Sequence, residues 1–258
     1  MFQFKFSIIT VVKNDEINLE KTIKSIIKQR ELNNVEYIVI DGKSNDRTVE
    51  IINKNKKHIN KFISEPDKGI YDAMNKGINL STGDIIGICN SGDTLLPNGL
   101  NYISNQFKKN YDFVFGTVLR KYLGSEIIKS GFKLNRIYYN FDFATSHSTG
   151  FYMRRNILND IGLYDTQFKC SADYDYYFRI VKSKKFKGSA TQKNELVGVV
   201  ESGGFSSKIS FFEHLKEETK IRIKNNQNMI LVILIYLNAL IKHILKKLKF
   251  FIIKIESK

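Results

Sequence analysis

Apolar runs and amphipathic stretches alternate along the first half of the chain. Phe6–Val12 is a β-rich, largely apolar run. Behind it, Leu19, Ile23, Ile26 and Ile27 recur at helical spacing within residues 17–29, after the capping candidates Asn14 and Asp15. The succession repeats. A strand over 35–40 ends at Asp41 and leads to a helix over 48–55; a short strand over 59–64 leads to a helix over 71–80; a fully apolar strand over 84–89 leads to a helix over 95–107. Strands apolar on both faces, each followed by a helix, predict an α/β fold with a mostly parallel central sheet and right-handed crossovers. After an apolar run at 111–118 the rhythm changes: residues 120–150 are aromatic and irregular, helices are expected over 156–161 and 173–183, and Leu196–Val200 is expected to return to the sheet as a late strand.

The C-terminal fifth reads differently. Of 258 residues, 41 are Lys or Arg and 26 Asp or Glu, a net +15; residues 208–258 alone hold 11 bases against 4 acids, or +7. This predicts a domain over 1–207 and a basic helical tail over 208–258. Concentration of the charge in the tail argues against a nucleic-acid-binding domain and for an anionic surface near the C-terminus. Residues 229–241 hold 12 apolar residues and Asn238, fewer than the ~20 needed to span a bilayer. From Lys242 onward, lysines alternate with Ile244, Leu245, Leu248, Phe250 and Phe251. The expectation is a helix that lies in a membrane interface; docking on the domain or on a partner is the alternative. Oligomeric state is not legible.

Composition adds little more. At 42% hydrophobic with 2 Pro, the chain is that of a globular protein. Cys89 and Cys170 stand 81 residues apart without a CxxC pair, so they read as buried thiols of a reducing compartment, not as zinc ligands or a disulfide framework. The start, Met1 to Phe6, lacks the apolar core of a signal peptide. Together these predict a cytoplasmic protein, peripheral on the inner face of the membrane.

Ligands of open parallel sheets sit at the carboxyl ends of the strands. There the sequence places Thr10, Lys13 and Asn14 after strand one, 41–48 (DGKSNDRT) after strand two, 65–72 (EPDKGIYD) after strand three and 90–93 (NSGD) after strand four. Four successive polar loops, rich in carboxylates, mark a site. A GxGxxG run is absent after strand one, which disfavours a dinucleotide. Residues 87–92 read GxxxxG, but an acid, Asp93, follows where a P-loop has its lysine. A carboxylate repels bare phosphate yet reaches it through Mg or Mn, so the pattern favours a metal-bridged diphosphate. Asp93 as the N-cap of the next helix is the alternative.

The runs 6–14 (FSIITVVKN), 39–48 (VIDGKSNDRT), 64–77 (SEPDKGIYDAMNKG), 83–93 (GDIIGICNSGD), 147–155 (HSTGFYMRR) and 171–175 (SADYD) together resemble the family 2 glycosyltransferases of GT-A fold, over about residues 6–206. The resemblance implies that Thr10 and Asn14 line a nucleotide pocket and that Asp41, as an acceptor-only carboxylate, recognises the base. It makes Asp93 the metal-binding end of a DxD-like motif whose first acid is replaced by Asn90 or Gly92. Asp173 falls at the acid of the "ED" motif, where Ala172 replaces the Glu, and is expected to be the base that takes the acceptor hydroxyl's proton. Asp173 and Asp175 precede Arg179 on the expected helix, so either can instead cap it or pair with that arginine. His147 and Asp175 are expected on the acceptor side. Lys68 and Asp72 flank a helix start where Lys68 can meet phosphate. The run 203–206 (GGFS) resembles a loop that closes over the diphosphate.

The function so implied is inverting transfer of a sugar from a nucleotide-diphosphate donor, with Mn or Mg, to a glycan or lipid-linked acceptor in bacterial capsule, O-antigen or exopolysaccharide synthesis. A catalytically inactive nucleotide-sugar-binding subunit, favoured by Gly92 and Ala172, is the alternative. A nucleotidyltransferase is less favoured, since residues 10–18 contain no Gly.

Overall fold

Seven consecutive buried residues make β1 (Phe6–Val12), and seven more make β2 (Val35–Asp41), with α1 (Leu19–Leu32) between them. α2 (Thr48–Lys54), β3 (Lys61–Ser64), α3 (Ile70–Leu80), β4 (Ile85–Ile88), β5 (Thr94–Leu95) and α4 (Gly99–Phe107) follow. Then come β6 (Phe113–Phe115), β7 (Thr117–Tyr122), β8 (Ser125–Lys129), β9 (Phe151–Arg154), α5 (Ile157–Ile161), α6 (Ala172–Ser183), β10 (Gly188–Ala190), β11 (Leu196–Val200), α7 (Phe211–Lys224) and α8 (Met229–Glu256). The computed structural model describes residues 4–32, 34–139, 143–144 and 147–256. Residues 1–3, which entered the signal-peptide reading, five residues of the aromatic stretch (140–142, 145 and 146) and the last two of the tail lie outside that set.

The main sheet runs β10-β6-β9-β4-β1-β2-β3, with β1, β2, β3 and β4 parallel and β9 antiparallel to both β4 and β6. Side-chain alternation splits its interior into two cores. Ile9, Val11, Ile38, Ile40, Ile86 and Ile88 pack toward α3 and α6, whereas Ile8, Tyr37, Val39 and Ile85 pack toward α1 and α4. The parallel α/β expectation therefore holds. A buried carboxylate pins one end of the sheet: Glu36 accepts hydrogen bonds from Ser7 Oγ (2.6 Å), Thr82 N and Oγ1 (both 2.7 Å) and the Lys61 ammonium (3.0 Å). Burial opposes its charge, but these donors prevail and hold Glu36 at about 2.

Four expectations need correction. The apolar run at 111–118 is two strands, because the chain changes sheets at Gly116; a Cβ there would lie 2.6 Å from Val197 Cγ2, so only glycine permits the close passage. β7 joins a second sheet, β5-β11-β7-β8, and Leu196–Val200 lies in this sheet, not the main one. The stretch 120–150, read as irregular, contains the β7–β8 hairpin. The helix expected over 95–107 starts only at Gly99, after β5.

The segment 208–258 is not uniformly a tail. α7 is capped by a reciprocal Ser210–Glu213 box, and its Ile221 is fully buried in the core beside α3 and α6. α8 folds back on α7, with Val232 buried and the His243 ring stacked on Phe211 at 3.9 Å between centroids. The helix is also longer than its apolar run implies. Met229–Leu248 has a mean hydropathy of 1.9 over 20 residues, long and apolar enough to cross a membrane by length and composition, so the argument that it is too short does not stand.

Candidate functional site

The register sets Val12 beside Asp41 and Asp41 beside Ser64, so the loops after β1, β2 and β3 emerge level with one another. Asp41 is fully buried and accepts from the hydroxyls of Ser44 (2.5 Å) and Ser64 (2.6 Å). Asn14 takes a left-handed conformation (φ 51°) that aims its carboxamide at the second loop. Its Oδ1 accepts from Asn45 N at 2.9 Å, and its own N–H donates to Ser44 Oγ at 2.8 Å. The third loop closes this corner: a Cβ on Gly42 would sit 2.1 Å from Asp67 Oδ2 and 3.2 Å from Lys13 Cδ. Asn14, Asp41 and Asp67 thus gather around one concave backbone.

Thr10 does not join them. It is fully buried, and its hydroxyl donates to Cys89 O (2.8 Å) and accepts from Tyr37 Oη (3.1 Å), so it ties β1 to the strands on both sides instead of lining a pocket. Asp72 accepts from Lys68 N at 3.0 Å and so braces the turn into α3; the Lys68 side chain is exposed on the rim.

The fourth loop places Asp93 under the second sheet. Its Oδ2 accepts from Thr149 Oγ1 at 2.5 Å and its Oδ1 from Glu201 N at 3.1 Å. Burial, only partly offset by those donors, pushes Asp93 up to about 7. Asn98 occupies the cap position of α4, so Asp93 does not cap that helix. His147 Nδ1 lies 3.7 Å from Asp93 Oδ2 and accepts from Thr149 N at 3.3 Å. Burial and then the charge of Arg120 push His147 down to about 3, which leaves a neutral imidazole with its proton on Nε2. Beside Asp93, the buried Oδ1 of Asn90 has no hydrogen-bond partner. Among the described residues no three His, Cys, Asp or Glu side chains form a metal cage. One carboxylate beside an orphaned amide oxygen fits a hard divalent cation that draws its other ligands from phosphate and water.

Asp173 is the second residue of α6. Its Oδ1 accepts from Tyr174 N (2.8 Å) and from Tyr71 Oη (3.2 Å), which links it to α3 behind the third loop. Burial, partly offset by these two donors, pushes it up to about 6. Asp175 points elsewhere. It is fully buried and accepts from Arg179 Nε at 2.8 Å and Asn225 Nδ2 at 3.1 Å, a structural ion pair under α6 and not an acceptor contact. The acceptor-side expectation for Asp175 is thereby corrected, and the pairing with Arg179 is the reading that stands.

Sequence reasoning missed several members. Asp15 accepts from Ser91 Oγ at 2.7 Å, which ties the first loop to the fourth, and Asp67, Thr149 and Tyr71 hold or meet the residues above. All four stand inside or next to the runs already singled out, so proximity to those runs was the available signal. Glu217 had none: from α7 it accepts the N–H groups of Lys169, Cys170 and Ser171 at 2.7, 2.9 and 3.0 Å, at the turn that starts α6.

A PGL/p-HBAD biosynthesis glycosyltransferase of Mycobacterium bovis (strain BCG / Pasteur 1173P2) is 28% identical over 236 residues, which cover 85% of this chain and 87% of its own. S. aureus TarS 1-349 in complex with UDP-GlcNAc superposes with a TM-score of 0.67 at 17% identity, over 92% of this chain and 71% of that one; against the longer TarS structure the chain spans 39% of the length. The mannosyltransferase PcManGT from Pyrobaculum calidifontis, in complex with GDP-Man and Mn2+, superposes with a TM-score of 0.64 at 14% identity, over 87% of this chain and 64% of that one. These likenesses show the GT-A fold. Glycosyl transferase family 2 matches residues 7–162, more than half of the chain, and the chain belongs to that family.

Proposed function

We propose that this glycosyltransferase transfers a sugar, with inversion, from a nucleoside diphosphate donor to a glycan or lipid-linked acceptor of the bacterial surface, working against the inner face of an anionic membrane. The observation that carries the reading is Asp173, a desolvated carboxylate poised near 6 at a helix start, with one oxygen held by Tyr71 and Tyr174. Such a group is a competent general base near neutral pH. It takes the proton of the acceptor hydroxyl as that oxygen forms its bond to the anomeric carbon, while the bond to the diphosphate breaks on the opposite face and the electron pair leaves with the phosphate. Asn14, Asp41 and Asp67 hold the nucleoside, with carboxylate acceptors for base or ribose donors. Asp93 and the Asn90 amide oxygen would hold a Mg or Mn ion, which when bound offsets the charge on the departing diphosphate. His147, neutral, offers its Nε2 proton to an oxygen of sugar or acceptor.

The test uses purified protein with UDP- and GDP-sugars, with and without Mn. The expected result is a donor-dependent rise in melting temperature and slow donor hydrolysis, the hydrolysis lost in Asp173→Asn while the thermal shift remains. Wild-type hydrolysis by Asp173→Asn overturns the assignment of the base. Binding without any turnover by the wild type favours the nucleotide-sugar-binding subunit, the reading that Gly92 and Ala172 support.

A further inference from the structure

α7 and α8 form an antiparallel hairpin, since Phe211 at the start of α7 stacks on His243, fifteen positions into α8. α7 covers one side of α8. On the uncovered side Ile230, Leu234, Leu237, Ile241, Ile244 and Leu248 are between 48% and 71% exposed. They recur at alternating four- and three-residue steps, and at about 100° per residue they fall within one narrow stripe. No charged side chain interrupts the stripe; Lys242 and Lys247 flank it and Lys246 stands opposite. Between the two helices runs a groove of about 350 Å³ lined by Phe212, Lys216, Thr219, Lys220 and Tyr236. Among the described residues no acid lies within ion-pair distance of Lys216 or Lys220, which stand one helical turn apart on α7. An apolar stripe beside an unneutralised row of lysines from two different helices is complementary to one kind of partner.

We propose that this hairpin docks on the surface of an anionic bilayer, with the α8 stripe in the acyl boundary and the groove lysines, Lys216 and Lys220, on lipid phosphate. α8 then lies in the plane of the membrane, because its other face remains on α7 through Val232 and His243; a spanning helix would have to strip both from their contacts. A second copy of this chain is the weaker occupant, for two such stripes would bring lysine flanks together without acids to pair them. The inference rests on the membrane reading given above and adds the residues and the orientation to it.

Full-length protein is mixed with vesicles of phosphatidylcholine alone or with 30% phosphatidylglycerol, about the anionic content this charge argument calls for, and vesicle-bound protein is measured by sedimentation. The expected result is binding to the anionic vesicles only, reduced at least about tenfold in Lys216→Glu/Lys220→Glu and in Leu237→Glu/Ile241→Glu, and not displaced by millimolar glycerol phosphate. Wild-type protein that binds neither vesicle overturns the membrane reading itself. Wild-type binding that survives Lys216→Glu/Lys220→Glu overturns the groove alone. Displacement by glycerol phosphate shows a site for free phosphate and overturns the lipid assignment, and a wild-type dimer in sedimentation velocity that Leu237→Glu dissolves overturns it in favour of a second copy.

Discussion

The Tyr71 hydroxyl donates to Asp173 Oδ1 at 3.2 Å across 102 residues of chain. This bond opposes the burial that raises Asp173, so its loss moves the carboxyl further up. A base works only when deprotonated. Transfer is therefore expected to fall as pH drops through about 6, and Tyr71→Phe to move that acid limb upward while leaving donor KM unchanged. Asp173→Asn is expected to lower kcat by at least about a hundredfold. A pH–rate profile of the two variants checks both.

Asp93 holds a proton up to about pH 7 because it is buried. A cation competes with that proton, so Mn-dependent donor binding is expected to weaken about tenfold per pH unit below 7 and to level off above it. Calorimetric titration of nucleoside diphosphate plus Mn between pH 5.5 and pH 8.5 (a range of about three units spanning that titration) reads the effect, and Asp93→Ala is expected to abolish the Mn dependence at every pH.

Gly42→Ala drives a methyl group into Asp67 Oδ2, the free end of a side chain that can swing away. The fold is expected to tolerate this while the donor corner does not: donor affinity falls about tenfold with little change in melting temperature. Asp67→Ala is expected to cause a similar loss, and the double variant to lose scarcely more than either, because both act on one carboxylate.

Glu36 is held at about 2 against an ordinary 4.5, so its contribution to stability is full above about 4.5 and drains away as pH falls toward 2. Glu36→Gln is expected to cost about 2 kcal/mol at pH 7 and progressively less below pH 4.5. Urea unfolding at pH 7, above that window, and at about pH 3, within it, checks the sign.

The parts legible in the sequence are those written in short range. β1 and β2 are buried on both faces and so read as apolar runs, and the carboxyl-end loops announce themselves by turn residues. Partners remote in the chain were not legible. The family resemblance places Thr10 in the pocket, but its hydroxyl is consumed by Tyr37 and Cys89, 27 and 79 residues away. Asp175 shows the intermediate case: its partner Arg179 lies one turn on, so the pairing was visible, and only its depth decided the matter. The change of sheet at Gly116 depends on Val197 passing overhead, which no local pattern records.

Glu217 closes the backbone donors at the start of α6 from an element made more than forty residues later. On the ribosome, where chains fold from the N-terminus as they emerge, the strands and their nucleotide loops can assemble well before Asp173 is set. The turn just before Asp173 is closed only as α7 leaves the exit tunnel, and α8 follows directly behind it. Birth order therefore lets the central strands and their carboxyl-end loops form before the turn that leads into Asp173 is closed.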